Sequence, residues 1–94
     1  MTMLRIQHSV PSFEGWKNAF DNDPVGRKAL GVRRYSVHRS VADPLLVMID
    51  LEFDDAPAAE VLLGRMQHIW RGPGKAVMVD PVAWIVETVE KVEL

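Results

Sequence analysis

The chain has 94 residues, of which 48% are hydrophobic and 26% are charged, and a formal net charge of -2. These values predict one soluble, folded domain, because the chain is too apolar for disorder and has no apolar run long enough to cross a membrane. The weak negative charge argues against nucleic acid or an anionic membrane as a partner. The absence of cysteine excludes disulfides, thiolate metal sites and a cysteine nucleophile. Because the residues after Met1 are too polar for a signal peptide, we expect a cytoplasmic protein.

The first predicted elements are a strand and a helix. Residues 3–9 alternate in polarity and predict the strand, whose apolar face consists of Leu4, Ile6 and His8. Pro11 ends this strand, and Ser12 is suited to cap a helix that runs to about Asn22. The buried stripe of this helix contains Phe13, Trp16 and Phe20.

A short helical piece and a hairpin are predicted next. Asp23 is suited to be an N-cap, Pro24 fits the first helical position, and Gly31 allows a left-handed stop. The hairpin strands cover residues 32–39 and 45–53 and are joined by an Asp-Pro turn. The sequence therefore places two antiparallel strands directly after the first helical region.

The second hairpin strand is expected to lie at the centre of the sheet, because it is apolar on both faces through Met48. One face is assigned to the helices and carries Val47, Ile49 and Leu51. The other face carries Leu46, Met48, Asp50 and Glu52. The two carboxylates fit either an acid and base pair or interface ion pairs with nearby arginines, and we favour the ion pairs.

The last predicted elements are a long helix and a strand. The helix begins at Asp54 and Asp55 and ends at Gly72. Its apolar stripe contains Ala59, Leu62, Leu63, Met66, Ile69 and Trp70. A loop extends to Asp80-Pro81, and residues 82–89 form the final strand, with Trp84 on one face.

The order strand, helix, hairpin, helix, strand predicts an α+β, ferredoxin-like βαββαβ domain over residues 1–94. In this arrangement the first and third strands are central and both helices cover one face of an antiparallel sheet. The opposite face would then expose apolar side chains beside Arg5 and Arg34, which is unfavourable for a monomer. We therefore expect a homodimer through this open sheet face, with the arginines pairing with Asp50 or Glu52.

The chain resembles the dimeric α/β-barrel superfamily, which includes the antibiotic-biosynthesis monooxygenases. The resemblance covers nearly the whole chain and rests on element order, on length, and on the strand ending Ile49-Asp-Leu-Glu-Phe53 followed by an Asp-initiated helix. Residues 13–53 are similar to uncharacterised bacterial members of that group. The resemblance implies a dimeric α/β barrel with a pocket between sheet and helices in each subunit. It also implies that the protein binds a small aromatic or apolar ligand and catalyses a cofactor-independent monooxygenase-like reaction.

Candidate site residues follow from this pocket. His8 and Tyr35 are the predicted catalytic residues, with His8 as base or orienting donor. The predicted ligand-binding residues are Trp16, Met66, Trp70 and His68. The aromatic residues and the methionine equally fit plain core packing, and His68 lies off the apolar stripe of its helix. His68 and Trp70 match the helix end used by the heme-degrading branch, but this chain has no asparagine on its first strand.

Other functions are less well supported by the residues. The three histidines lack metal-ligand spacing, and we expect neither a metal nor another cofactor. RNA-recognition modules share this element order, but Asp50 and Glu52 on the open face would repel phosphate. The alternative that remains is a non-catalytic dimeric binding or regulatory module.

Overall fold

The structure is a computed structural model and describes residues 1–72 and 78–94. Its elements are β1 (Thr2–Ser9), α1 (Phe13–Asp21), β2 (Arg34–Arg39), β3 (Leu46–Phe53), α2 (Ala56–Arg71) and β4 (Val79–Glu87). The four strands form one sheet in the order β2-β3-β1-β4, and every pair is antiparallel. This confirms the predicted ferredoxin-like βαββαβ order, with β1 and β3 at the centre.

Side-chain caps start both helices where the sequence predicts them. The Ser12 hydroxyl accepts a hydrogen bond from the Gly15 amide at 3.2 Å at the start of α1. The Asp55 carboxylate accepts one from the Ala58 amide at 3.0 Å at the start of α2. Each cap satisfies an amide that the first helical turn leaves without a backbone partner.

The segment between α1 and β2 differs from its prediction, because residues 23–31 form turns instead of a helix. Asp23 has φ 51°, and Gly26 and Gly31 have φ 70° and 98°. An N-cap residue has an extended backbone, whereas Asp23 is left-handed, so it starts a turn. Its carboxylate accepts two hydrogen bonds from the Arg27 amide, at 2.9 and 3.1 Å. We call residues 22–31 the turn segment.

Strand β4 also differs from its prediction. It begins at Val79 and so includes Asp80 and Pro81, which were assigned to a loop, and it ends at Glu87 instead of Val89. The pairing of β4 with β1 shifts register between Gln7 and Ser9, opposite Asp80 with φ 49°. This irregularity accommodates the proline inside the strand. The predicted loop before β4 falls mostly on residues 73–77, outside the described residues.

The two faces of the sheet differ in burial as predicted. On β3, alternate residues from Val47 to Phe53 are at most 1% exposed, and the residues between them are half-buried. The buried face packs with Leu4 and Ile6 of β1 and with the apolar stripes of the helices. Helix α2 contacts β1, β3 and β4. The core therefore lies between the sheet and the helices.

The other face of the sheet is uncovered, and we call it the open face. Trp84 is 49% exposed there and pairs in register with Arg5. Arg5 Nε lies 3.0 Å from Asp50 Oδ1, and Arg34 Nη1 lies 2.8 Å from Glu52 Oε2. The predicted arginine and carboxylate partners thus pair within one chain, because the antiparallel register already brings them side by side. Exposed pairs of this kind contribute about 1 kcal/mol or less to stability.

Candidate functional site

A cavity of about 310 Å³ lies between the sheet and the helices, and we call it the helix-side cavity. Its walls come from α1, the turn segment, β3, α2 and Met78 before β4. The aromatic and apolar side chains that line it include Trp16, Phe20, Ile49, Met66, Ile69 and Trp70. The polar groups in its wall come from the turn segment. The cavity therefore has the apolar character of a small-molecule pocket.

Three of the four predicted ligand-binding residues line this cavity. Trp16 is 2% and Met66 is 8% exposed, whereas Trp70 is only half-buried near the end of α2. His68 lies apart from them, in a more open groove of about 430 Å³ that Arg65 also lines. The structure thus brings Trp16, Met66 and Trp70 together and leaves His68 on the outer side of α2.

His8 is buried beside the cavity but does not line it. Its residue is 1% exposed, and its ring centroid lies 5.1 Å from that of Trp16. Nδ1 lies 3.4 Å from the Ser9 carbonyl oxygen. Among the described residues, Nε2 is the buried side-chain atom that has no hydrogen-bond partner. His8 therefore contacts a residue of the cavity wall, Trp16, without lining the cavity itself.

Burial fixes the charge state of His8. Loss of hydration lowers the pKa of His8 from its ordinary value of 6.5 to about 4, against the opposing effect of the Ser9 carbonyl. The imidazole is thus neutral at pH 7. In the tautomer in which Nδ1 donates to Ser9, Nε2 carries a lone pair and can accept a proton or a hydrogen bond. This arrangement suits a hydrogen-bond acceptor, and the lowered pKa makes His8 a weak proton acceptor at pH 7.

Tyr35 lies at the other end of a row of aromatic rings. Its ring meets the edge of Phe20 at a centroid distance of 5.3 Å, and Phe20 stacks on Trp16 at 5.0 Å. Tyr35 is 45% exposed and does not line the helix-side cavity. The two predicted catalytic residues, His8 and Tyr35, are therefore separated by Trp16 and Phe20 and do not converge on one reacting atom.

The turn segment contributes two residues that the sequence reasoning missed. Asp23 and Arg27 line the cavity, and Arg27 Nε lies 3.3 Å from Asp23 Oδ1. The Arg27 guanidinium carbon lies 3.8 Å from the Phe20 ring centroid and 4.8 Å from that of Tyr35. The available signal was the spacing of four between Asp23 and Arg27 after α1, but Asp23 was interpreted as the N-cap of a short helical piece.

Two other features bear on the site. Across residues 1–72 and 78–94, histidines and carboxylates form no group of three that could hold a metal ion. In the same part of the chain, neither helix is long and apolar enough to cross a membrane.

Comparison with known proteins gives no match to a protein-family profile and none to a curated protein sequence. Solved structures do match. The chain is similar to a proposed antibiotic biosynthesis monooxygenase from Deinococcus radiodurans, with 20% identity, a TM-score of 0.67, and coverage of 100% of this chain and 98% of that one. It is also similar to SnoaB, a cofactor-independent oxygenase from Streptomyces nogalater, with 11% identity, a TM-score of 0.72, and coverage of 97% and 95%.

A third match is a dimeric ferredoxin-like protein from an uncultured marine organism, with 16% identity, a TM-score of 0.70, and coverage of 97% and 96%. All three identities are low, so the likeness concerns the fold. The chain has the ferredoxin-like fold of the antibiotic biosynthesis monooxygenase-like proteins over nearly its whole length.

Proposed function

We propose that this protein binds a small aromatic or apolar molecule in the helix-side cavity. The observation that carries the proposal is the cavity itself, about 310 Å³ in volume and walled by Trp16, Phe20, Met66 and Trp70. An apolar cavity of about 150 Å³ is large enough for benzene, so the volume suits a molecule of about two fused rings. Aromatic faces and a methionine provide close contacts for such a ring system.

Filling the cavity is expected to abolish this binding. Ala19 is a half-buried residue of α1 in the cavity wall, and Ala19→Phe would place a ring in the space that a ligand needs. We expect the affinity for naphthalene-type ligands to fall by about tenfold or more, which corresponds to the cost of forcing extra carbon atoms into a packed site. Isothermal titration calorimetry on the two proteins measures the difference.

The matched control is Ala29→Phe, which adds the same ring at an exposed position outside the cavity. Its affinity should equal that of the wild-type protein. Equal binding by Ala19→Phe and wild type would place the ligand elsewhere and would contradict the proposal.

We further propose cofactor-independent oxygenation as the chemistry at this cavity. The support is the shared fold with SnoaB and a neutral, buried His8 imidazole whose unpartnered Nε2 can accept a hydrogen bond. A panel of hydroxylated polycyclic aromatics, assayed for oxygen consumption and products, tests it. Because His8 contacts the cavity wall at Trp16 without lining the cavity, His8→Ala should lower turnover, and turnover unchanged in this variant would exclude His8.

A non-catalytic binding or regulatory module is the second candidate function. It is favoured by the positions of His8 and Tyr35, neither of which lines the cavity. Tight binding of aromatic ligands without oxygen consumption by any of them would decide for this candidate.

We propose that the protein is a homodimer through its open face. Trp84 and Val82 are 49% and 46% exposed on this face, and half-buried Met48 and Leu46 lie on the same face beyond β1. A two-fold partner that presents the same face would bury this apolar surface. The dimeric ferredoxin-like protein with the same fold supports this assembly.

Replacement of Trp84 by glutamate is expected to dissociate this dimer. A tryptophan that becomes buried in an interface commonly contributes about 2 kcal/mol or more to association, so the dissociation constant should rise by about thirtyfold or more. Sedimentation velocity over a range of concentrations measures it. Val41→Glu changes an exposed valine in the hairpin turn and should leave the dimer intact. A wild-type protein that is monomeric at micromolar concentration would contradict the proposed assembly.

A further inference from the structure

We propose that the helix-side cavity selects apolar molecules that carry a carboxylate or a similar anionic oxygen group, and that Arg27 is the residue that recognises this group. The inference rests on the proposed binding of a small apolar molecule in this cavity and specifies its chemical class. Arg27 is the cation in the described part of the cavity wall.

The Arg27 side chain is largely buried, with 11% of its surface exposed. A guanidinium is always charged, and a buried charge is stable only when its N–H donors find acceptors. Because Arg27 lies in the wall of an otherwise apolar cavity, its guanidinium N–H groups need acceptors there.

Asp23 satisfies only part of this requirement. Nε of Arg27 forms an ion pair with Asp23 at 3.3 Å from Oδ1, whereas the hydrogen bonds to the two Asp23 oxygens, at 2.9 and 3.1 Å, come from the single backbone N–H of Arg27. Within residues 1–72 and 78–94, no hydrogen bond from Nη1 or Nη2 to a protein acceptor is found. Since the described residues provide no acceptor for these two terminal amino groups, we assign them to the ligand.

Two aromatic rings hold the guanidinium in place without using its donors. Its central carbon lies 3.8 Å from the centroid of Phe20 and 4.8 Å from that of Tyr35. The faces of the rings attract the positive charge of the guanidinium, but they do not accept hydrogen bonds from the N–H groups that lie in its plane. A side chain held in this way loses little further freedom when it binds a planar, two-oxygen acceptor.

Carboxylate is the acceptor that best matches this arrangement, because its two oxygens pair with two guanidinium N–H groups. The apolar wall strengthens the attraction, since charges interact more strongly where water is excluded. Asp23 offsets part of the Arg27 charge and would repel the ligand anion. Removal of the Asp23 charge should therefore tighten the binding of an acid.

The test compares 2-naphthoic acid with 2-naphthamide, which has the same shape and no charge, by calorimetry at pH 7. We expect the wild-type protein to bind the acid at least about tenfold more tightly. Arg27→Gln should weaken acid binding by about tenfold to a hundredfold, the range for a lost charge-assisted hydrogen-bonded pair. The same variant should change amide binding by less than about threefold.

Lys28→Gln is the matched control, because Lys28 is an exposed cation of the same turn segment that does not line the cavity. It should leave both affinities unchanged. Asp23→Asn should tighten the binding of the acid and leave that of the amide unchanged. Arg27→Lys keeps the charge but loses the planar guanidinium, so it should retain only part of the preference for the acid over the amide. These two variants decide the question if Arg27→Gln proves too unstable to measure.

The outcomes separate this inference from the proposed function. Equal affinity of the wild-type protein for the acid and the amide would overturn acid selection, while binding in the cavity would stand. Equal weakening of both probes by Arg27→Gln would show that Arg27 only holds the turn segment. Failure of both probes to bind would count against the cavity as a ligand site and against acid selection with it.

Discussion

Replacement of His8 by leucine is expected to remove a large part of the acid sensitivity of this protein. In the folded state the pKa of His8 falls from 6.5 to about 4 because the ring is buried. The unfolded chain therefore binds more protons than the folded one between these two values, and stability falls as the pH drops from 6.5 to 4. Integrated over this window, the loss from His8 alone is about 3 kcal/mol. Above pH 6.5 both states are neutral at this position and the effect vanishes.

The measurement is the free energy of unfolding from urea titrations at pH 7 and pH 4, at one protein concentration. At pH 7 the leucine variant should lie within about 1.5 kcal/mol of wild type, since the side chain is replaced by an apolar one of similar size. Leucine also removes the buried Nε2 that has no hydrogen-bond partner, which should raise the free energy of unfolding of the variant. Between pH 7 and pH 4 the wild-type protein should lose about 3 kcal/mol more than the variant.

His68→Leu is the control for this experiment, because it removes an exposed histidine on the outer side of α2. Its stability should follow the wild-type pH dependence. Parallel curves for wild type and His8→Leu would mean that His8 has the same pKa in the folded and the unfolded state, and that burial does not lower it.

The sheet was predictable from the sequence because its strands follow simple alternation. On β3 the side chains that face the helices are all apolar, and Asp50 and Glu52 fall on the other face. A shift of one residue would bury both carboxylates, so the pattern fixes the register. The helix starts were predictable for an equally local reason, since Ser12 and Asp55 cap amides only three residues away.

The turn segment was not predictable in the same way. Its helical signals, an aspartate followed by a proline, are also turn signals, and the left-handed backbone of Asp23 decides between them. The consequence is functional. The predicted helical piece gave Arg27 no place in the site, whereas the turn brings its guanidinium against the rings of Phe20 and Tyr35 and into the cavity wall.

The candidate site was predicted in composition but not in arrangement. Strand parity placed His8 on the helix side, and helical spacing placed Trp16 and Met66 there, as the structure shows. Which of these side chains reach the cavity depends on how the rings stack across elements. Trp16 lines the cavity and His8, whose ring lies against it, does not, and no pattern along the chain predicts that difference.

Replacement of Trp16 by alanine is expected to give the largest loss of stability among the cavity residues. Trp16 is 2% exposed, and its ring lies 5.1 Å from His8, 5.8 Å from Phe13 and 5.0 Å from Phe20. Truncation of a buried tryptophan removes these contacts and leaves a void, at a cost of about 3–5 kcal/mol. For a domain of this size that is a large part of the total stability. Urea denaturation of the variant measures it.

Trp70→Ala is the matched comparison, because Trp70 lines the same cavity but is only half-buried at the end of α2. Its loss should cost about 1–2 kcal/mol while weakening the binding of 2-naphthoic acid by about tenfold, the loss expected for one aromatic contact. The two tryptophans would then divide the roles, with Trp16 mainly in the core and Trp70 mainly at the ligand. A loss of less than about 1 kcal/mol in the free energy of unfolding, together with abolished binding, would contradict this division. Trp16 would then be a ligand contact that the fold does not need, and its ring could move and expose His8 to the ligand.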